Sequence, residues 1–259
     1  MNRVAYVVFC AAVVACGGPA APAPATPTPS TPAAPAKHLL VVTYTAGFHH
    51  SSIPVAESTI QSIGRTSGLF DTAFCRSADD VRAQLTPSGL QGIDGVFFAN
   101  TTGNLGIPDV RAFLDWIAAG HAFAGAHSAA DTYHESDDYL AMLGGEFQTH
   151  GSIATADIRV DDPSDPSVAQ LAPRFTITDE LYRFTRSSRS TVHVLLSMDR
   201  VPADGVGTAG TPADLLMAWR REYGRGRVFY TALGHREEVW QDPRFQRHLL
   251  GALTWALER

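Results

Sequence analysis

Cysteine is scarce in this 259-residue chain: Cys10, Cys16 and Cys75, with no CxxC pair. That excludes a zinc ribbon and a dithiol redox centre. There is no block of Lys or Arg, and the formal net charge is −6, so the chain offers no basic surface for nucleic acid. Neither HxH nor HxxxH occurs among its ten histidines, so any metal ligands must be gathered from distant segments. No internal repeat is visible. The apolar run over residues 4–15 is shorter than a membrane span and about the length of a signal h-region.

That run follows Arg3 and ends Val13-Val14-Ala15-Cys16-Gly17, small residues before a cysteine as in a bacterial lipobox. Residues 1–15 are thus expected to be a lipoprotein signal peptide, with cleavage before Cys16 and lipidation there. An ordinary secretory signal cut elsewhere is the bland alternative. Residues 16–36 are rich in Pro, Ala and Thr, with no charge and no large apolar side chain after Cys16. Such a tract cannot bury enough surface to fold and acts as a semi-rigid linker. The folded domain is expected over residues 37–259, on the bacterial cell envelope, extracytoplasmic and anchored to the membrane through Cys16. Cys75, in an apolar strand-like segment, reads as a small core residue.

The domain is organised around His121-Ala122-Phe123-Ala124-Gly125-Ala126-His127-Ser128-Ala129-Ala130-Asp131. An apolar strand ending in small residues, then one reactive side chain, has the pattern of a nucleophile elbow. Here the elbow holds His127, not Ser or Cys. Strands are expected at residues 39–44, 69–75, 95–99 and 121–126, alternating with helices at about 52–65, 79–85 and 108–119. That alternation predicts a parallel sheet covered by helices. Ligands in such sheets sit at the carboxyl ends of the strands. Phe48-His49-His50, Asn100-Thr101-Thr102 and His127-Ser128-Asp131 should therefore meet in one crevice. After residue 150 the pattern turns antiparallel, with strand pieces near 153–160, 175–182, 192–196, 215–220 and 226–232, and a last helix over 243–257.

At the carboxyl end of a strand, facing two other polar clusters, His127 is read as general base, general acid or metal ligand, since imidazole titrates near neutrality; the competing role is to satisfy a buried carbonyl. Asp131 either orients His127 or caps a helix. Of the adjacent His49 and His50, His49 is taken for the site and His50 for packing. His49, His127 and His150 could together hold zinc or a related divalent ion. Asp179-Glu180 offers a carboxylate pair, with the Tyr182 ring beside it as a stacking platform for a substrate. His235 follows a strand as His127 does. Asn100, Thr101 and Trp219 complete the candidates for substrate contact, Trp219 having core packing as its competing role.

Several runs resemble the ThuA-like family, named for trehalose utilisation. They are Gly47-Phe48-His49-His50-Ser51-Ser52-Ile53, Gly125-Ala126-His127-Ser128-Ala129-Ala130-Asp131, Leu143-Gly144-Gly145-Glu146-Phe147 with His150, Thr178-Asp179-Glu180-Leu181-Tyr182, and the run from Gly224 to His235. The resemblance implies a flavodoxin-like, class I glutamine amidotransferase-like fold: a three-layer α/β sandwich with a mainly parallel central sheet and added antiparallel strands. His127 stands where true amidotransferases carry cysteine, so glutamine hydrolysis by a thiolate is not supported. The family's His-Pro pair before Ala218-Trp219 is missing, replaced by Leu215-Leu216-Met217. The implied activity is on trehalose-like or keto-oxidised disaccharides, by isomerisation, elimination or hydrolysis. Catalytic roles then fall to His127, Asp131, Glu180 and His235, and a sugar oxidoreductase becomes a candidate partner. The alternative is a saccharide-binding lipoprotein without catalysis.

Overall fold

The computed structural model describes Met1, Ala5 and residues 7–10 and 37–258. The chain divides into two units, Met1–Ala34 and Pro35–Arg259. In the first, the few described residues of the expected leader form no helix or strand, and Cys16 and the 16–36 linker lie outside the described residues. Among the described residues no helix is long and apolar enough to cross a membrane.

In the second unit the elements are β1 (Lys37–Val42), α1 (Ile53–Ser67), β2 (Phe70–Cys75), α2 (Ala78–Gln84), β3 (Gly95–Ala99), α3 (Val110–Ala118), β4 (Ala122–Ala126), a 3-10 turn (His127–Asp131), α4 (Asp137–Leu143), β5 (Glu146–His150) and β6 (Ala154–Val160). Then come β7 (Arg174–Asp179), β8 (Tyr182–Thr185), β9 (His193–Arg200), β10 (Pro212–Tyr223), β11 (Gly226–Thr231), α5 (Glu237–Gln241) and α6 (Pro243–Leu257). Nine strands form one sheet in the order β2-β1-β3-β4-β11-β10-β9-β6-β7. The first five run parallel and the rest antiparallel, so β11, β9 and β7 point the same way as β4. β5 and β8 pair in a separate antiparallel ribbon.

Every residue of β3 (GVFFA) and β4 (AFAGA) is buried, as in strands covered on both faces. The covering helices form two groups, α1 with α5 and α6, and α3 with α4. This is the expected α/β architecture. Cys75 is fully buried, and burial pushes its thiol up to about 12, so it is an inert core residue.

Local differences have local causes. α2 starts at Ala78, capped by Ser77, whose hydroxyl accepts from the Asp80 N–H; Asp79 falls in its first turn rather than at its cap. α4 was not expected; Ser136 caps it, accepting from the Tyr139 N–H, and Gly144 ends it at φ 85°.

Candidate active site

His127 leaves β4 with φ 49°, in the left-handed region. A non-glycine residue there costs roughly 1–2 kcal/mol, so the neighbours must hold it. β11 and the loop after it do so. The Tyr230 hydroxyl donates to the His127 carbonyl at 2.7 Å, and the His127 Nδ1–H donates to the Ala232 carbonyl at 3.0 Å. The small residues have a purpose here: a Cβ on Gly125 would lie 3.0 Å from the Ala129 methyl and 3.3 Å from the Tyr230 ring. The expected elbow is present, and its imidazole is fully buried.

Three other groups close around His127. His235, on the loop after β11, brings its Nδ1 to 3.2 Å from His127 Nε2. Glu180 Oε2 lies 3.4 Å from His127 Nε2 and 3.4 Å from His235 Nδ1. The His50 ring stands edge-on to both, with centroids 4.9 Å from His127 and 5.2 Å from His235. One ring nitrogen from each of His50, His127 and His235 lies within 4.8 Å of the others. The second Glu180 oxygen, Oε1, is 3.1 Å from His150 Nδ1.

The cluster opens on a cavity of about 250 Å³. Its polar wall is His50, Asp131, His150, Glu180 and His235, and its aromatic wall is Phe48, Phe147 and Tyr182. His127 lies behind this wall, touching it through His235 and Glu180. Phe48 is 64% exposed at the rim, its ring meeting the His50 ring at 78° with centroids 4.8 Å apart.

Asp179 explains why these loops meet. Its buried carboxylate accepts from the Gly234 N–H at 2.7 Å and the Arg236 N–H at 3.1 Å, tying the end of β7 to the loop that carries His235. The Gly234 carbonyl accepts in turn from Asn100 Nδ2 at 2.9 Å and Trp240 Nε1 at 2.7 Å. Gly234 sits at φ 121° with the Trp240 ring 3.1 Å from where a Cβ would be, so glycine is required there.

Burial works to raise the Glu180 carboxyl, but hydrogen bonds and charge from His127 and His235 outweigh it and hold the group well below the usual carboxylate range. The hydrogen bond to Glu180 raises His235 above the ordinary histidine value against the effect of burial. Burial, with repulsion from His127 and His235, pushes His50 down to about 3. Burial raises Asp179 despite its backbone hydrogen bonds. The site thus joins an anionic Glu180 to a neutral His50 and a His235 that binds protons more readily than usual.

Of the sequence candidates, His127, Glu180, His235, His150 and Tyr182 come together, although Tyr182 is only 3% exposed. Others are corrected. His49 is exposed and outside the cavity wall, while its neighbour His50 is buried in the cluster, reversing the expected pair. The metal set of His49, His127 and His150 is therefore not assembled; the converging imidazoles are His50, His127 and His235. Asp131 reaches the cavity, but its carboxylate accepts from His134 Nε2 at 2.7 Å, and the Ala232 carbonyl orients His127 instead. Asn100 holds Ser52 Oγ and the Gly234 carbonyl, and the Thr101 hydroxyl pairs with Thr132. Trp219 donates to the Leu143 carbonyl at 2.8 Å from the core. None of these last three lines the cavity. Sequence reasoning missed the tie made by Asp179 and the wall position of Phe147, though both stand inside the quoted motifs.

The family described as trehalose utilisation, ThuA, matches residues 38–256. The chain belongs to the ThuA family. Solved structures agree in fold. A protein described as ThuA-like from Parabacteroides merdae superposes with TM-score 0.70 at 19% identity, covering 87% of this chain and 91% of that one. A second, from Bacteroides uniformis, gives TM-score 0.67 at 21% identity, with 91% and 96% covered. The ThuA fold also resembles part of a β-galactosidase from Bacillus circulans sp. alkalophilus, with TM-score 0.54, 11% identity, 85% of this chain and 31% of that one. No curated protein matches the sequence.

Proposed function

We propose that this ThuA protein is an envelope-anchored enzyme that transfers protons on a trehalose-like disaccharide or its keto-oxidised form. The observation that carries the reading is the Glu180–His150 pair at the cavity. His150 Nδ1 lies 3.1 Å from Glu180 Oε1 and 2.9 Å from the Gly151 carbonyl, so it carries the hydrogen and Nε2 keeps the lone pair. An Nδ1–H held by the Gly151 carbonyl beside the Glu180 carboxylate leaves Nε2 as the basic atom, which fits it for general-base work. The family description supports a sugar substrate, and the exposed Phe48 ring offers a face for stacking a pyranose.

In this reading His150 Nε2 takes the proton from the carbon next to a keto group. The electron pair moves to the keto oxygen, and the histidine cluster beyond Glu180 supplies the positive charge that the developing enolate needs. Return of the proton at the neighbouring carbon gives isomerisation, and departure of a glycosidic oxygen gives elimination. His127 is a positioning residue that holds His235 and Glu180 from behind.

The test is to follow disaccharides and their keto forms by NMR in the presence of the full chain. His150→Ala is expected to lower kcat by about 100-fold or more. Undiminished turnover in that variant would remove the assignment. Shifted sugar signals with no product would leave a binding protein instead.

A further inference from the structure

We propose that the space between His127, His235 and Glu180 binds one divalent transition-metal ion of the zinc type, with His50 as an additional imidazole donor. The inference names what carries the positive charge in the pocket described above, and it rests on that pocket's geometry rather than on the sugar.

His127 Nε2, His235 Nδ1 and Glu180 Oε2 form a triangle with edges of 3.2, 3.4 and 3.4 Å. Ligands about 2.0 Å from a tetrahedral zinc ion stand about 3.3 Å apart, so the triangle has the size of one face of such a site. The hydrogens point the same way. His127 gives its Nδ1–H to the Ala232 carbonyl, which leaves Nε2 as the ring atom facing the triangle. Glu180 adds further lone pairs there, and its other oxygen lies 3.1 Å from His150 Nδ1. Two ring nitrogens and a carboxylate oxygen thus converge on one space, and a cation there would satisfy all three. The Ala232 carbonyl and His150 stand where outer partners of metal ligands usually stand. His50 is buried, its Nδ1 has no hydrogen-bond partner, and one of its ring nitrogens is within 4.8 Å of the ligand atoms of His127 and His235. The cavity leaves a free side from which substrate oxygen could reach the ion.

A second group among the described residues, Asp162, Asp165 and His193, has comparable spacing. Its atoms are already engaged: Asp162 with Ser164 and His193, and Asp165 with Ser167 and Arg220. It provides the control.

The full chain is stripped with a chelator, titrated with zinc chloride by calorimetry, and assayed for metal after dialysis. One zinc per chain is expected. His235→Gln and the His127→Gln/His235→Gln double variant should each lose at least about 100-fold in affinity, while Asp162→Asn leaves it unchanged. Glu180→Gln, at the cavity wall, serves if the buried His127 variant fails to fold by circular dichroism. Cobalt(II) should give tetrahedral visible bands that vanish in the same variants. Failure to retain zinc, or binding that survives His235→Gln, overturns the site. Uptake is read without sugar. A chain that binds zinc but converts no disaccharide therefore supports this site and removes the enzymatic reading; turnover in a chain that binds no zinc does the reverse.

Discussion

At the scale of single residues, the strained His127 depends on donors from a neighbouring strand. The Tyr230 hydroxyl is buried against the His127 carbonyl. Tyr230→Phe would leave that carbonyl without this donor and should cost about 1–3 kcal/mol, read as a lower melting temperature. An unchanged melt would show that the bond does not hold the elbow. Phe48 makes the opposite kind of contribution. Its exposed ring supports little of the core, so Phe48→Ala should raise KM up to about tenfold while kcat and stability stay the same. A fall in kcat alone would remove the stacking role.

The same scale shows what could be read from sequence. His127 and His235 were legible because each follows a strand that topology sends to one end of the sheet, and Glu180 because its run Thr178-Asp179-Glu180-Leu181-Tyr182 carries the family resemblance. His49 and His50 were not separable, because adjacent side chains diverge and the loop alone decides which one turns inward. Asp131 misled because proximity in sequence to His127 says nothing of competitors. His134, three residues on, takes its carboxylate.

Among the elements, α6 carries a prediction about pH. His248 is buried on its inner face, donates Nδ1–H to the Ser167 carbonyl, and is pushed by burial down to about 4. The unfolded chain holds that histidine near 6.5, so below that pH the unfolded state binds the proton first. Stability is lost as pH falls from about 6.5 toward 4, and His50, lowered to about 3, acts in the same direction. Each contributes about 2 kcal/mol of loss at pH 5. His134 and His235, raised by their carboxylate partners, act the other way, so the check is the difference: between pH 7 and pH 5 the wild-type melt should fall relative to that of His248→Phe. An unaltered slope would count against His248 as its source. The boundaries of α6 matched the sequence reading, Pro243 to Leu257, because proline and inward apolar spacing mark both ends. β10 was read as half its length. Its pairing with β9 shifts register three times, and bulges break the alternation by which a strand is recognised. α4 carried a legible cap at Ser136, but its 7 residues are under two turns, too few for apolar spacing to mark a helix.

For the whole molecule, topology did more than any motif. The order β2-β1-β3-β4-β11, together with the antiparallel return through β10, β9 and β6, sends the ends of β4, β11 and β7 the same way. The anchoring reading belongs to this scale as well. Expressed in bacteria and extracted with a phase-separating detergent, the chain should partition with the detergent, and Cys16→Ser should move it to the aqueous phase. A wild-type chain found in the aqueous phase would remove the anchor.

The two-stranded ribbon has a consequence for descent. Phe147, His150 and Tyr182 lie on β5 and β8, whereas His50, His127 and His235 follow strands of the large sheet. The pocket is built from two independently paired pieces of backbone. Drift in the ribbon can redraw which molecule is admitted while the histidine cluster is inherited intact. Two members of the family with the same cluster can thus diverge in what they select, and it is the ribbon sequence that should be compared to sort them.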